Sequence, residues 1–244
     1  MSKIFLAGAG GAIGSRLGPL LVAAGCEVFG TTRSAAKAGE LEAAGLKPIV
    51  VDVFDGPALA LVMATVAPEI VIHQLTDLPK GLEPSLMAAA TERNARIRRE
   101  GTANLVAAAR AAGARRLIAQ SIAWAYAPGR EPHVESDPLD HDAEGARGIS
   151  VAGVAALERL TLGSPPLDGV VLRYGQLYGP GTGSDRPNGS APLHVDAAAQ
   201  AALLAISRAR PGIYNIAEQS DFVSSARARA ELGWRDDFRI AAEG

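Results

Sequence analysis

The chain has 244 residues, 48% hydrophobic and 20% charged, which is enough apolar material for a buried core and too much for general disorder. Its formal net charge of −2 lacks the basic surplus of a nucleic-acid binder, and no run approaches the roughly 18 apolar residues of a membrane span. The single cysteine, Cys26, excludes an internal disulfide, and no Cys/His cluster has the spacing of a zinc site.

Short β-branched runs at residues 3–9, 27–31, 48–51, 69–73 and 116–120 read as buried strands bounded by turn residues. Helix-length stretches lie between them at 13–24, 34–44, 57–66 and 84–112, most of them ending at a glycine: Gly25, Gly45, Gly113. Past Ser121, residues 127–148 read as a long loop holding His133 and His141. A helix at 149–162 and a strand at 169–173 follow, then a glycine- and proline-rich segment at 174–192. A helix at 195–207, a strand at 212–216 and a helix at 224–232 finish the chain.

Strands alternating with helices build βαβ units and a parallel sheet covered on both faces. The expectation is an α/β fold: a Rossmann-type, doubly wound parallel sheet with a small C-terminal lobe. Residues 1–173 are expected to form the dinucleotide-binding domain, to which elements near 195–216 return. Residues 174–244 are expected to supply most of a small substrate-side lobe. The first strand pattern begins almost at Met1 with no signal-like segment before it, so a cytoplasmic location is expected.

The first strand runs into Gly8-Ala9-Gly10-Gly11-Ala12-Ile13-Gly14. Gly8, Gly11 and Gly14 stand three apart where a strand gives way to a helix. A pyrophosphate seated on a helix N-terminus needs a sharp turn, close backbone approach and tight helix packing, and side chains obstruct all three. The end of the second strand should select the dinucleotide. NAD requires an acid there for the ribose hydroxyls, and this chain offers Thr31-Thr32-Arg33-Ser34. Arg33, with the Thr32 and Ser34 hydroxyls, suits a 2′-phosphate; the alternative is a solvated surface arginine. Asp52 is placed either to accept from an adenine amino group or to begin a turn with Asp55-Gly56.

On these residues the chain resembles the extended short-chain dehydrogenase/reductase family, the NAD(P)-dependent epimerases and dehydratases, over nearly its whole length. Val71-Ile72-His73 looks like the family's fourth-strand motif, and Gly101-Thr102-Ala103-Asn104-Leu105 like the helix before strand five. Residues 172–181, His194-Val195-Asp196, Tyr214-Asn215-Ile216 and Glu231-Leu232-Gly233-Trp234 are similar to its later landmarks. The resemblance implies that Val53 beside Asp52, His73-Gln74-Leu75 and Tyr174-Gly175 join the glycine loop at the cofactor. NADP(H) is the preferred cofactor, with NAD(H) as the alternative.

The catalytic part of the resemblance departs from the family. A tyrosine there serves the carbonyl, a lysine four residues later lowers its pKa, and a glutamate usually follows by four. Anchored on Glu158, these places hold Ser150 and Val154, and all four lysines of the chain precede residue 81. Ser121 matches one of two family serines, or is a plain turn hydroxyl. Tyr126, Tyr174 and Tyr178 fall in loops at the carboxyl edge of the sheet, as substitute acids or packing residues. Ser121, Tyr126 and Tyr174 are the candidate catalytic residues.

The expected function is an NADP(H)-binding oxidoreductase or epimerase with an atypical site and a small carbonyl or hydroxyl substrate. The alternative is a non-catalytic NADP(H) sensor or regulatory protein. The family's dimer helices correspond to residues 84–112 and 149–162, which implies a homodimer. The first carries Glu92, Arg93, Arg96, Arg98, Arg99 and Glu100, highly charged for a packed interface, so a monomer with a solvated helix is the other reading.

Overall fold

The computed structural model describes residues 2–241. Its principal strands are β1 (Lys3–Ala7), β2 (Glu27–Thr32), β3 (Lys47–Val50), β4 (Ile70–His73), β5 (Arg116–Ile122), β6 (Asp168–Tyr174) and, after two shorter strands, β9 (Gly212–Ile216). The helices are α1 (Ala12–Ala23), α2 (Ala38–Ala43), α3 (Gly56–Val66), α4 (Met87–Arg96), α5 (Thr102–Ala111), α6 (Gly145–Leu162) and α7 (Val195–Arg208). The seven strands form one sheet in the order β3-β2-β1-β4-β5-β6-β9, parallel throughout. The doubly wound Rossmann architecture read from the sequence is therefore present.

The strands read as continuous apolar runs because both faces of the sheet are covered. Along β1, Ile4 and Leu6 point into one core with Leu17, Leu21, Ile72 and Leu172. Phe5 and Ala7 point into the other, with Leu59, Met63, Val71 and Leu117. Helices α1 and α7 close the first layer, while α3 and α5 close the second.

The two edges of the sheet differ in chemistry. On β3 the Val51 N–H bonds inward to the Thr32 carbonyl, so the alternation turns Pro48, which has no N–H, toward the open side. On β9 the outward Asn215 N–H donates to Glu135 Oε1 at 2.9 Å, and the Ile213 carbonyl accepts from Arg227 Nη1 at 2.9 Å.

Several boundaries depart from the sequence reading. β1 ends at Ala7, two residues early, because the turn begins at Gly8, whose φ is +89°. The expected helix at 34–44 splits into a short turn at Ala35–Lys37 and α2. The stretch at 84–112 opens on a 3₁₀ turn, and a π-turn at Ile97–Gly101 interrupts it between α4 and α5. The glycine-rich segment hides a small second sheet, β7 (Gln176–Tyr178) paired in parallel with β8 (Pro192–His194). Among the described residues no helix is long and apolar enough to cross a membrane.

Candidate cofactor and substrate cavity

A cavity of about 690 Å³ opens at the carboxyl ends of the strands. It lies where β1 and β4 are neighbours and the chain's connections diverge to opposite sides, the usual ligand position in such sheets.

The three spaced glycines do different work. A Cβ on Gly8 would lie 2.6 Å from the Gln74 carbonyl oxygen, and one on Gly14 would lie 2.1 Å from the Gly8 carbonyl oxygen. Both residues let backbone meet backbone. Gly11 is the N-cap of α1 and makes no side-chain cap, which leaves the helix's first N–H groups for a ligand. Gly10 faces open space, with nothing within 4 Å of an added Cβ. Gly8, Gly10, Gly11, Ala12 and Ile13 line the cavity, while Gly14 lies behind them as helix packing. A pyrophosphate fits this cradle: bare backbone, free N–H groups and a helix N-terminus coincide.

At the outer end, Thr32, Arg33, Asp52 and Val53 all line the cavity. The Arg33 side chain is half-exposed and stands 3.7 Å from Asp77, which also pairs with Arg93 at 3.3 Å. Asp77 escaped the sequence reading because it reaches Arg33 from the loop after β4, across a gap that local spacing does not encode. Thr32 Oγ1 accepts from the Ser34 N–H at 3.1 Å, and Ser34 precedes the following turn without a side-chain cap, outside the cavity wall. Asp52 Oδ1 accepts from the Phe54 N–H at 2.9 Å, so it does begin a turn while still lining the site.

At the inner end, Gln74, Leu75, Ser121, Ser150, Tyr174 and Gly175 line the wall. His73 was expected with them and does not reach the cavity. It is buried, its Nε2 lies 3.1 Å from the Thr102 hydroxyl, and its Nδ1 accepts from the Leu75 N–H at 3.2 Å. Burial, helped by the nearby charge of Arg98, lowers its pKa to about 4 and keeps it neutral.

Tyr126 is likewise displaced from its expected role. Its hydroxyl donates to Asn215 Oδ1 at 2.6 Å and its ring stacks on His133, away from the cavity. Tyr178 is turned to Glu218, donating at 2.7 Å, and is not in the wall. His194 caps α7 by accepting the Asp196 N–H.

Tyr174 is in the wall, fully buried, and burial pushes its phenol well above the ordinary range. Its oxygen accepts from Gln74 Nε2 at 3.4 Å, and Gln74 Oε1 has no partner among the described residues. Ser121 donates to Glu158 Oε1 at 2.7 Å, and Glu158 is itself clamped by Arg173. Ser150 faces the cavity, whereas Val154 is sealed into an apolar cluster with Ile122, Ala125, Leu139 and Val151.

Arg98 and Trp124 also line this end and were not singled out as site residues. The charged run 92–100 looked like a solvated face. One signal was available: Arg98 falls on the stripe of Asn94, Ile97 and Gly101, all buried, where a solvated arginine does not belong.

Fold and cavity together define a Rossmann dinucleotide-binding protein of the α/β class. The chain belongs to the NAD-dependent epimerase/dehydratase family, whose model matches residues 4–202. It is similar to a 3-diazoavenalumate denitrifying reductase of Streptomyces, 40% identical over an alignment 237 residues long, which covers 88% of this chain and 76% of that protein. Among solved structures it resembles the UDP-glucose 4-epimerase of Thermotoga maritima with UDP-glucose (TM-score 0.77, 17% identity, 97% of this chain and 94% of that one). It also resembles the Thermus thermophilus UDP-glucose 4-epimerase with NAD (TM-score 0.74, 20% identity, 98% and 95%).

Proposed function

We propose that the protein is an NADP(H)-dependent reductase whose substrate is a small conjugated acid carrying a diazo group, the chemistry named in its Streptomyces relative. The observation that carries this reading is the inner wall of the cavity. By the family spacing anchored on Glu158, Ser150 and Val154 take the places of a tyrosine–lysine pair that would serve a carbonyl; Ser150 lines the cavity and Val154 is closed off in a core. The wall's one phenol, Tyr174, is held neutral by burial and gives no easily released proton.

A reaction that needs no proton at an oxygen suits such a wall. A reduced nicotinamide nucleotide held at the glycine cradle would supply hydride chemistry: the diazo carbon would gain a C–H bond while the C–N electron pair left with N₂. No proton is consumed in that exchange, so the chain's tasks are to bind, to orient and to exclude water. The α1 N-terminus and Gly10 would receive the pyrophosphate, Arg33 and Thr32 the 2′-phosphate, and Leu75, Ile122 and Trp124 would enclose the substrate's apolar body. The apolar side chains Leu75, Ile122 and Trp124 also shield a reactive diazo carbon from water.

The test is incubation with 4-deuterated NADPH and a carboxylated ortho-diazoquinone. Loss of absorbance at 340 nm, release of N₂ and deuterium at the former diazo carbon are expected together. Bound NADPH with neither gas nor label in the product overturns the reading and favours a non-catalytic NADP(H) sensor.

A further inference from the structure

Among the described residues five charged side chains line the cavity: Arg33, Lys37, Asp52, Asp77 and Arg98. The first four belong to its outer end, and Arg98 stands apart on the π-turn. Its stem crosses Gly153 of α6, where an added Cβ would lie 3.4 Å from Arg98 Cδ and 3.0 Å from Ala95 Cα. Ser150, Gly153 and Val154 form one stripe along α6, so the Arg98 stem packs against the helix face that carries Ser150.

No hydrogen bond or ion pair reaches the Arg98 guanidinium among the described residues, and burial lowers its pKa to about 10 against the attraction of Glu158. Glu158 is already spent on Arg173 and Ser121. His73 is neutral. Two arginines thus share one carboxylate, which leaves a positive charge uncompensated beside the cavity. Such a charge is costly in an empty site and has a use when an anion arrives. Single π-turns inside helices also occur frequently at functional sites.

We infer that Arg98 binds an anionic oxygen of the substrate, a carboxylate or a phenolate, at the inner end of the cavity. Ile122 and Trp124 line the same end and offer an apolar surround for a flat conjugated body. The inference rests on the cavity being the substrate chamber, as proposed above, and not on the fate of a diazo group.

Binding without turnover tests it, with quenching of Trp124 fluorescence in the NADP⁺ complex as readout. The probes are 4-hydroxycinnamate, its neutral amide, and 4-hydroxy-3-nitrocinnamamide, whose phenol ionises near neutral pH. The wild type should bind one or both anions about ten- to a hundredfold more tightly than the neutral amide. Preference for the carboxylate identifies that source, and preference for the nitrophenolate the other. Arg98→Met should erase the preference, leave NADP⁺ affinity unchanged and raise the melting temperature of the unliganded protein. Arg98→Gln carries the same comparison should the methionine variant misfold. A preference that survives in a folded variant, or none in the wild type, overturns the inference. Anion binding without N₂ release from the diazoquinone leaves it standing and removes only the diazo reading.

Discussion

Glu158 and Arg173 meet in a double hydrogen bond, Nε to Oε1 at 2.8 Å and Nη2 to Oε2 at 2.7 Å, with side chains only 7% and 3% exposed. The pair ties α6 to β6 beneath the inner wall, and Ser121 of β5 joins it as a third donor. Removing one partner of a buried pair leaves the other charge stranded, at a cost on the order of 3–5 kcal/mol. Glu158→Gln should therefore lower stability by that amount in urea unfolding. A loss below 1 kcal/mol would mean that water reaches Arg173.

Gly10 and Gly14 separate binding from folding. Gly10→Val places its side chain in open cavity and should weaken NADP(H) by roughly tenfold or more with an unchanged melting temperature. Gly14→Ala forces a Cβ onto the Gly8 carbonyl and should destabilise the fold itself. Calorimetric titration beside thermal melts reads both. Equal cofactor affinity in folded Gly10→Val protein refutes the cradle.

Arg33→Ala bears on the choice of cofactor. Loss of one charge-assisted contact to a 2′-phosphate should weaken NADP by about ten- to a hundredfold and leave NAD nearly unchanged. Parallel losses for both cofactors would assign Arg33 to holding Asp77 rather than to the phosphate.

His73 makes a pH prediction with a definite sign. Its folded pKa, about 4, lies below the ordinary 6.5, so the unfolded chain takes up a proton the native state refuses. Stability is unaffected above pH 6.5 and falls as pH drops toward 4, on the order of 1.4 kcal/mol per unit. Burial of His194 acts in the same direction, so the comparison is with His73→Gln. Urea midpoints at pH 7 and pH 5 should differ less in that variant. An identical difference would move the titration elsewhere.

Tyr126→Phe strands the buried Asn215 Oδ1 and should cost about 1–3 kcal/mol of stability while leaving kcat unchanged. A large fall in kcat with an unaltered melting temperature would return Tyr126 to the chemistry.

The fold was legible because burial of both sheet faces writes itself into β1, β4 and β5 as short apolar runs, Ile4–Ala7, Ile70–Ile72 and Leu117–Ala119. The glycine spacing likewise encodes a local turn. Side-chain destinations were less legible. Tyr126 and His133, from the connection between β5 and α6, meet Asn215 of β9, and no spacing within either segment announces the encounter. His73 ends a strand at the cavity's edge, yet the partner that draws it inward, Thr102, lies a helix away. The π-turn was hidden for a similar reason. Alanine-rich sequence supports an α-helix throughout residues 87–111, and the packing of Gly101 against Val53, 3.2 Å from an added Cβ, belongs to tertiary structure.

Pro48 on β3, and Glu135 with Arg227 on β9, leave the sheet closed at both ends. An eighth strand approaching β3 meets a position without a donor, and one approaching β9 finds its donor and acceptor already engaged. The protein is thereby guarded against edge-to-edge polymerisation in concentrated solution. Growth by strand addition is disfavoured on both sides, which leaves helices and loops as the surfaces more open to docking.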